Sequence, residues 1–296
     1  MGPALEKRRR GIEYLDAVTM LLNRIRNSHP TAGLYDAAEL HWWWAQAERS
    51  TDDVDQLFWF DDRGRPEAAV IVTSFGDVTQ LDPLVLPDVL PHWVEHIMQR
   101  GLSHAADLGF DAVCLEVDKD DSVLRSVLTD RGFASDGSEF VEAWLPAQAR
   151  PAISTLAAGY RLSDRSCSLG RPHHMINARR DYNDPEPRLN QTSLYRSDLD
   201  LVAYDDAGSV AAYGLFWYDP TTGVGVVEPM RTEDEHQNKG LARHVLTSGI
   251  DRLVLAGAKR IKICFDPANA AAQHLYLGVG FKVDRCNEIF VGPTTN

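Results

Sequence analysis

A shift of 148 residues lays one half of this 296-residue chain on the other. Gly101 then meets Gly249, Gly109 meets Gly257, Asp118 meets Asp266, and Gly132-Phe133 meets Gly280-Phe281. Val113, Leu115 and Val117 fall on Ile261, Ile263 and Phe265 without a gap. Turn glycines, an alternating strand and its flanking helices recurring together predict one supersecondary unit built twice. The expected fold is therefore mixed α/β, in two domains covering 1–148 and 149–296, each a sheet flanked by helices.

The local patterns agree. In the first half, Ile12, Leu15, Val18, Leu22 and Ile25 recur at helical spacing, and Glu39 to Ala47 reads as a second helix carrying Trp42-Trp43-Trp44. Leu57 to Phe60 and Ala68 to Thr73 read as strands around a polar turn, with Pro83, Pro87 and Pro91 filling a connector. A helix over His92 to Leu108, a strand over Ala112 to Val117 and a helix over Ser122 to Asp130 follow, and Pro146 to Pro151 reads as a linker. In the second half, the pattern predicts strands over Leu199 to Tyr204, Val210 to Tyr218, Arg260 to Phe265 and Asn287 to Val291. Helices are expected over Leu241 to Ala256 and Ala270 to Leu277.

Net charge is −13, which repels nucleic acid and anionic membrane surfaces. Lys7-Arg8-Arg9-Arg10 reads as a solvated basic tip rather than a nucleic-acid patch. No apolar run approaches the ~20 residues of a membrane helix, and no apolar segment follows the basic tip as a signal peptide would require. The four cysteines, Cys114, Cys167, Cys264 and Cys286, show no C-x-x-C spacing, and Cys114 and Cys264 read as small core residues of strands. A reducing cytoplasm is the expected location.

The chemistry concentrates between Val224 and Arg243, which reads as strand, acidic connector, turn and helix start. Gln237-Asn238-Lys239-Gly240-Leu241-Ala242 has the form Q-x-x-G-x-A. Gly240 lets a ligand approach the backbone, and a helix beginning at Leu241 would aim unpaired N–H groups and its positive dipole end at an anion such as phosphate. Lys239 and Arg243 add positive charge there.

This strand, turn and helix resemble the acetyl-CoA signature of the GNAT superfamily of N-acetyltransferases. Asn269, Tyr276 and Gly280-Phe281 resemble the family's N-x-x-A…L-Y…G-F element. The resemblance implies two tandem GNAT-like domains with mostly antiparallel sheets, acetyl-CoA as acyl donor and a small-molecule amine as acceptor. It implies that Gln237, Asn238, Lys239, Gly240, Leu241, Ala242 and Arg243 hold the pyrophosphate. Backbone groups of Met230, Arg231 and Thr232 would pair with pantetheine where this strand splays from its neighbour, and Asn269 would reach a pantetheine amide. A backbone N–H near Met230 would meet the oxyanion, and Tyr276 would be the acid that protonates the departing thiolate. Pro229 suits a break in the strand ladder, and Glu228, sharing a face with Met230 and Thr232 by two-residue periodicity, is the candidate base.

By the same 148-residue shift, Gln237 to Ala242 meets Val89 to Val94, where there is no glycine and Pro91 stands in place of Lys239. Asp121 stands for Asn269 and Leu128 for Tyr276. The first half therefore reads as a copy that has lost its cofactor turn. Three other groups read more simply as structure. His173-His174 with Cys167 lacks a second pair at metal-site spacing, so no metal is expected. Trp42-Trp43-Trp44 packs a helix before it cages a cation, and Asp181, Asp184 and Glu186 lie in a solvated loop. A CoA-binding module without turnover, another acyl donor, an oxygen acceptor and a non-catalytic assembly protein stay open as alternatives. Oligomeric state is not legible in the sequence.

Overall fold

The computed structural model describes residues 5–29, 31–46, 48–176 and 184–295. In chain order the elements of the first half are β1 (Leu5–Arg9), α1 (Gly11–Ser28), α2 (Ala37–Ala45), β2 (Gln56–Phe60), β3 (Pro66–Phe75), β4 (Val78–Val85), α3 (Pro91–Asp107), β5 (Ala112–Asp118), α4 (Ser122–Asp130) and β6 (Ala134–Pro146). There follow β7 (Tyr160–Asp164), α5 (Glu186–Leu189), β8 (Asp200–Asp205), β9 (Val210–Asp219), β10 (Val224–Thr232), α6 (Leu241–Ala256), β11 (Arg260–Phe265), α7 (Ala270–Val279) and β12 (Lys282–Pro293).

The chain forms two compact units, one of Met1–Ala37, Glu48–Phe140 and Arg285–Asn296, the other of Ala38–Ala47 and Val141–Asp284. Unit 1 orders its strands β1-β2-β3-β4-β5-β12, and unit 2 orders its strands β6-β11-β10-β9-β8-β7. The closing strand of each sequence repeat thus counts with the opposite unit. Val141–Pro146 pairs antiparallel with β11 inside unit 2, and Asn287–Pro293 pairs antiparallel with β5 inside unit 1. In each unit a parallel step is placed inside an otherwise antiparallel sheet, β4 beside β5 and β10 beside β11.

The repeat is carried by α3-β5-α4 and α6-β11-α7. Its first glycine marks a close helix–sheet approach. A Cβ on Gly249 would stand 2.1 Å from the Phe216 ring, and one on Gly101 would stand 3.2 Å from Leu81 and 3.3 Å from Val70. In unit 1 the core packs Leu57, Val70, Val72 and Leu81 of the sheet with Ile97, Met98 and Leu102 of α3, and includes Phe133 and Phe290.

Four expectations need correction. Lys7 to Arg9 belong to β1, not to a free tail, and pair with β2; the Lys7 ammonium and the Arg9 guanidinium each lie 5.4 Å from the Phe60 ring centre. The proline-rich connector conceals β4, which runs through Pro83, and Pro146 ends the long strand β6. Cys114 is buried as expected, but Cys264 is exposed. Among the described residues no helix is long and apolar enough to cross a membrane.

Candidate active site

In unit 2, β10 and β11 pair over only three positions, Val224 with Arg260, Gly225 with Ile261 and Val226 with Lys262. Beyond them β11 continues to Phe265 and β10 to Thr232, each without the other. A fork therefore opens at Val226. On its other edge β10 stays paired with β9, but the register slips between Val227, opposite Phe216, and Met230, opposite Gly214. Glu228 and Pro229 form a bulge at this point. Pro229 has no N–H to offer, the Glu228–Pro229 peptide is cis, and the Glu228 carbonyl accepts a hydrogen bond from Trp217 Nε1 at 2.7 Å. The bulge interrupts the two-residue alternation, so the face of Glu228 does not follow from counting back from Met230. All residues from Glu228 to Thr232 are half-buried.

The turn lies after this strand. Gly240 has φ +77° and caps the N-terminus of α6, and no side chain caps that end. Asn238 also has positive φ, at 59°. The first-turn amides of α6 thus lack both intrahelical acceptors and a side-chain cap. A Cβ built on Gly240 would meet nothing within 4 Å, so the turn presents open backbone. The basic side chains are anchored beside it. Lys239 Nζ donates to the Tyr160 hydroxyl at 3.1 Å and to the Glu235 carbonyl at 3.0 Å, and Arg243 donates to the Gly278 carbonyl at 3.1 Å. Gln237 donates to Asp234 at 3.2 Å, while the Arg231 guanidinium is engaged by Glu233 at 2.9 Å. Tyr160, from β7, is a site neighbour that sequence reasoning missed. A lone tyrosine on a short edge strand carries no spacing signal.

Across the fork stands α7. Asn269 caps its N-terminus, its Oδ1 accepting from the Ala272 amide at 3.1 Å. Asp121 caps α4 of unit 1 in the same way, accepting from Leu124 at 2.9 Å. The capping role is therefore common to both repeats. Tyr276, two turns into α7, is buried, with its ring 5.5 Å from that of Phe265 and 6.4 Å from that of Phe281. Burial first, and the charge of Glu228 second, push its hydroxyl up to about 12. Residues Glu228 and Tyr276, remote in sequence, are thus electrostatic neighbours.

The groups set aside in the sequence have structural partners. His173 and His174 come together with Asp200, not with Cys167, their ligating atoms lying within 4.8 Å of one another. Asp200 Oδ2 lies 3.0 Å from His173 Nε2 and accepts from Tyr195 at 2.9 Å. The Met175 amide donates to His173 Nδ1 at 3.2 Å, which leaves the ring proton on Nε2 and commits that nitrogen to donating. Against the cost of burial, His174 and His173 hold the Asp200 carboxyl well below its usual range. Trp42 and Trp44 are buried, Arg188 stacks 4.1 Å from the Trp44 ring centre, and Trp44 Nε1 donates to Gln191 at 3.0 Å. Glu186 is paired with Arg165 and Asp184 accepts from the Glu186 amide, while Asp181 lies outside the described residues.

Sequence reasoning also missed a buried ion cluster at the fork. Lys262, fully buried opposite Val226, reaches Glu39 at 2.8 Å and Glu142 at 3.1 Å. Its members come from α2, β6 and β11, so no local pattern announces it.

Residues 168–281 match the profile of the acetyltransferase (GNAT) family. Among solved structures, a tandem GNAT protein from the clavulanic acid biosynthesis pathway aligns over 99% of each chain with a TM-score of 0.70 at 11% identity. A GCN5-related N-acetyltransferase from Sphaerobacter thermophilus covers 99% of this chain and 96% of its own, with a TM-score of 0.62 at 14% identity. One from Kribbella flavida covers 96% and 95%, with a TM-score of 0.52 at 14% identity. No curated protein sequence matches the chain.

Proposed function

We propose, from the match of residues 168–281 to the acetyltransferase (GNAT) family and the likeness of the fold to tandem GNAT structures, that the half from 149 to 296 transfers acetyl from acetyl-CoA to a primary amine of a small molecule by direct attack. The observation that carries this reading is the pairing of an open fork at Val226 with an uncapped, glycine-led helix start at Gly240. Amides of the α6 first turn, with Lys239 and Arg243, would hold the diphosphate, and Gln237, Asn238, Leu241 and Ala242 shape that turn. Free backbone groups of Met230, Arg231 and Thr232 would pair with the pantetheine arm, and Asn269 flanks it across the fork.

In the transfer step the amine nitrogen forms a bond to the thioester carbon. An amide near Met230 stabilises the oxyanion, and the carbon–sulfur bond then breaks. Glu228 takes the proton lost by the attacking nitrogen, and Tyr276 gives one to the leaving sulfur. A tyrosine held near pH 12 is fully protonated at neutral pH and so ready to donate. The first half, 1–148, lacks the glycine turn and would shape the protein rather than hold the donor.

Thiol release from acetyl-CoA is the test, measured across an amine panel with wild type, Glu228→Gln and Tyr276→Phe. Amine-dependent release that both variants slow supports the proposal. Acetyl-CoA binding without release identifies a module that holds CoA without turnover. Wild-type rates in both variants would remove the assigned roles.

A further inference from the structure

Unit 1 has a fork of its own. β4 and β5 pair in parallel at a single position, Gln80 with Cys114, and a cavity of about 290 Å³ lies beside it. That volume is at the low end of the ~300–1,000 Å³ of small-molecule pockets. Leu22, Ile25, Pro83, Val85 and Leu115 give it apolar walls, and Tyr35, Asp82 and Glu116 are its ionisable lining residues. The helix that follows β4 begins with Leu90 as cap and Pro91 in its first turn, so it offers no glycine turn to a phosphate.

The hydrogen bonds around the acidic groups leave one atom over. The Gln80 amide donates both its N–H bonds, to the Tyr35 hydroxyl and to Asp82 Oδ1, each at 2.9 Å. The Tyr35 hydroxyl donates its proton to Glu116 Oε2 at 3.1 Å, and Asn287 donates to Glu116 Oε1 at 2.7 Å. Asp82 is 4% exposed, and its Oδ2 accepts nothing. A buried carboxylate oxygen without a donor is costly, and no Lys, Arg or His is among the described residues lining the cavity. Asp82 Oδ2 is the atom left without a donor, and the apolar-walled space beside it has room for a ligand that brings one.

We propose that this cavity binds a small apolar amine as its ammonium ion, with Asp82 as the counter-charge. The site belongs to unit 1 and stands whether or not unit 2 is an acetyltransferase. Burial, with a further push from Glu116, raises the Asp82 carboxyl to about 7 against the opposing pull of the Gln80 amide and, more weakly, of the nearby Tyr35 hydroxyl. Tyr14, Tyr35, Cys114 and Glu116 are its titratable neighbours, and burial raises both tyrosines and Cys114. An arriving ammonium favours the ionised carboxylate and expels its proton to solvent.

The experiment is calorimetry on the full chain at about pH 6.5 with benzylamine, cyclohexylamine and n-butylamine, and with neutral benzyl alcohol as control, in two buffers of different ionisation heat. At least one amine is expected to bind, benzyl alcohol at least tenfold more weakly, with a fraction of a proton released per amine bound. Asp82→Asn and the cavity-filling Leu124→Trp are each expected to weaken the amine at least tenfold. If no amine binds, if benzyl alcohol binds as well, if no proton is released, or if both variants bind as wild type does, the proposal is overturned. Should Asp82→Asn fail to fold, proton release and Leu124→Trp decide.

Discussion

The indole N–H of Trp217 donates to the carbonyl of Glu228 at 2.7 Å. Trp217 is fully buried on β9, and the carbonyl it serves lies in the bulge that interrupts the β9–β10 ladder. This bond anchors the bulged backbone that carries the proposed base. Trp217→Phe keeps an aromatic ring but leaves the carbonyl without its donor and removes the volume of the indole's second ring. The expected loss is about 1–3 kcal/mol of unfolding stability by urea titration. A roughly tenfold fall in kcat/KM, about 1.4 kcal/mol of transition-state stabilisation, should accompany it. Stability and rate both unchanged would show that the bulge holds without the indole.

Tyr276 is held up to about 12 by burial and by Glu228, in that order. A group with this pKa stays protonated through about pH 10, so the rate should show no alkaline fall from this residue below that point. Tyr276→Phe is expected to lower kcat by about 10²-fold, within the usual range for a positioned acid, with KM for acetyl-CoA changed much less. Glu228→Gln removes one cause of the shift, so the Tyr276 pKa should move down, read by ultraviolet titration as the difference from Tyr276→Phe. A kcat that survives Tyr276→Phe would assign the proton to another donor.

The repeat was the most legible part of the fold because its evidence is local. Gly101 and Gly249 recur since a helix comes close to its sheet at both places, against Val70 and Leu81 in one unit and Phe216 in the other. The helix α6 and the strand β11 match their sequence patterns to the residue, and the Gly240 turn has the left-handed conformation that glycine there requires. Strand β4 was hidden by Pro83, which a central strand disfavours but tolerates beside a fork where ladder donors are not needed. Strand β1 was hidden by charge, yet Lys7 and Arg9 lie over the Phe60 ring, so their charge is compatible with an edge strand. The Lys262–Glu39–Glu142 cluster joins residues more than a hundred positions apart and could not be read from spacing at all.

Gly240 offers a way to separate binding from folding. Its φ is +77° with open space where a Cβ would stand, so Gly240→Ala meets backbone strain of roughly 1–2 kcal/mol but no clash. The new methyl would occupy the approach to the α6 amides. The melting temperature should fall by only a few degrees, while the CoA dissociation constant rises more than tenfold by calorimetry. Lys239→Ala should weaken CoA less and reduce the salt dependence of binding. Unchanged CoA affinity in Gly240→Ala would place the diphosphate elsewhere.

His41, on α2 in unit 2, is 1% exposed, with its ring edge-on to Trp217 at 6.4 Å between centres. Burial pulls it down to about 4. Its unfolded value is about 6.5, so the folded state refuses a proton that the unfolded chain accepts between those two points. Above pH 6.5 the ring is neutral in both states and contributes nothing to the pH dependence. As pH falls from about 6.5 to about 4, the unfolded chain gains the proton first, and folded stability drops by about 3 kcal/mol from this residue. His41→Gln removes the titration while keeping a polar side chain of similar reach. Urea unfolding of both proteins at pH 7.5 and pH 4.5 isolates the effect, because every other titrating group is shared. The loss of stability between the two pH values should be smaller in His41→Gln by about 2–3 kcal/mol. Equal losses would mean that the His41 ring is hydrated or paired well enough to take up its proton in the folded protein.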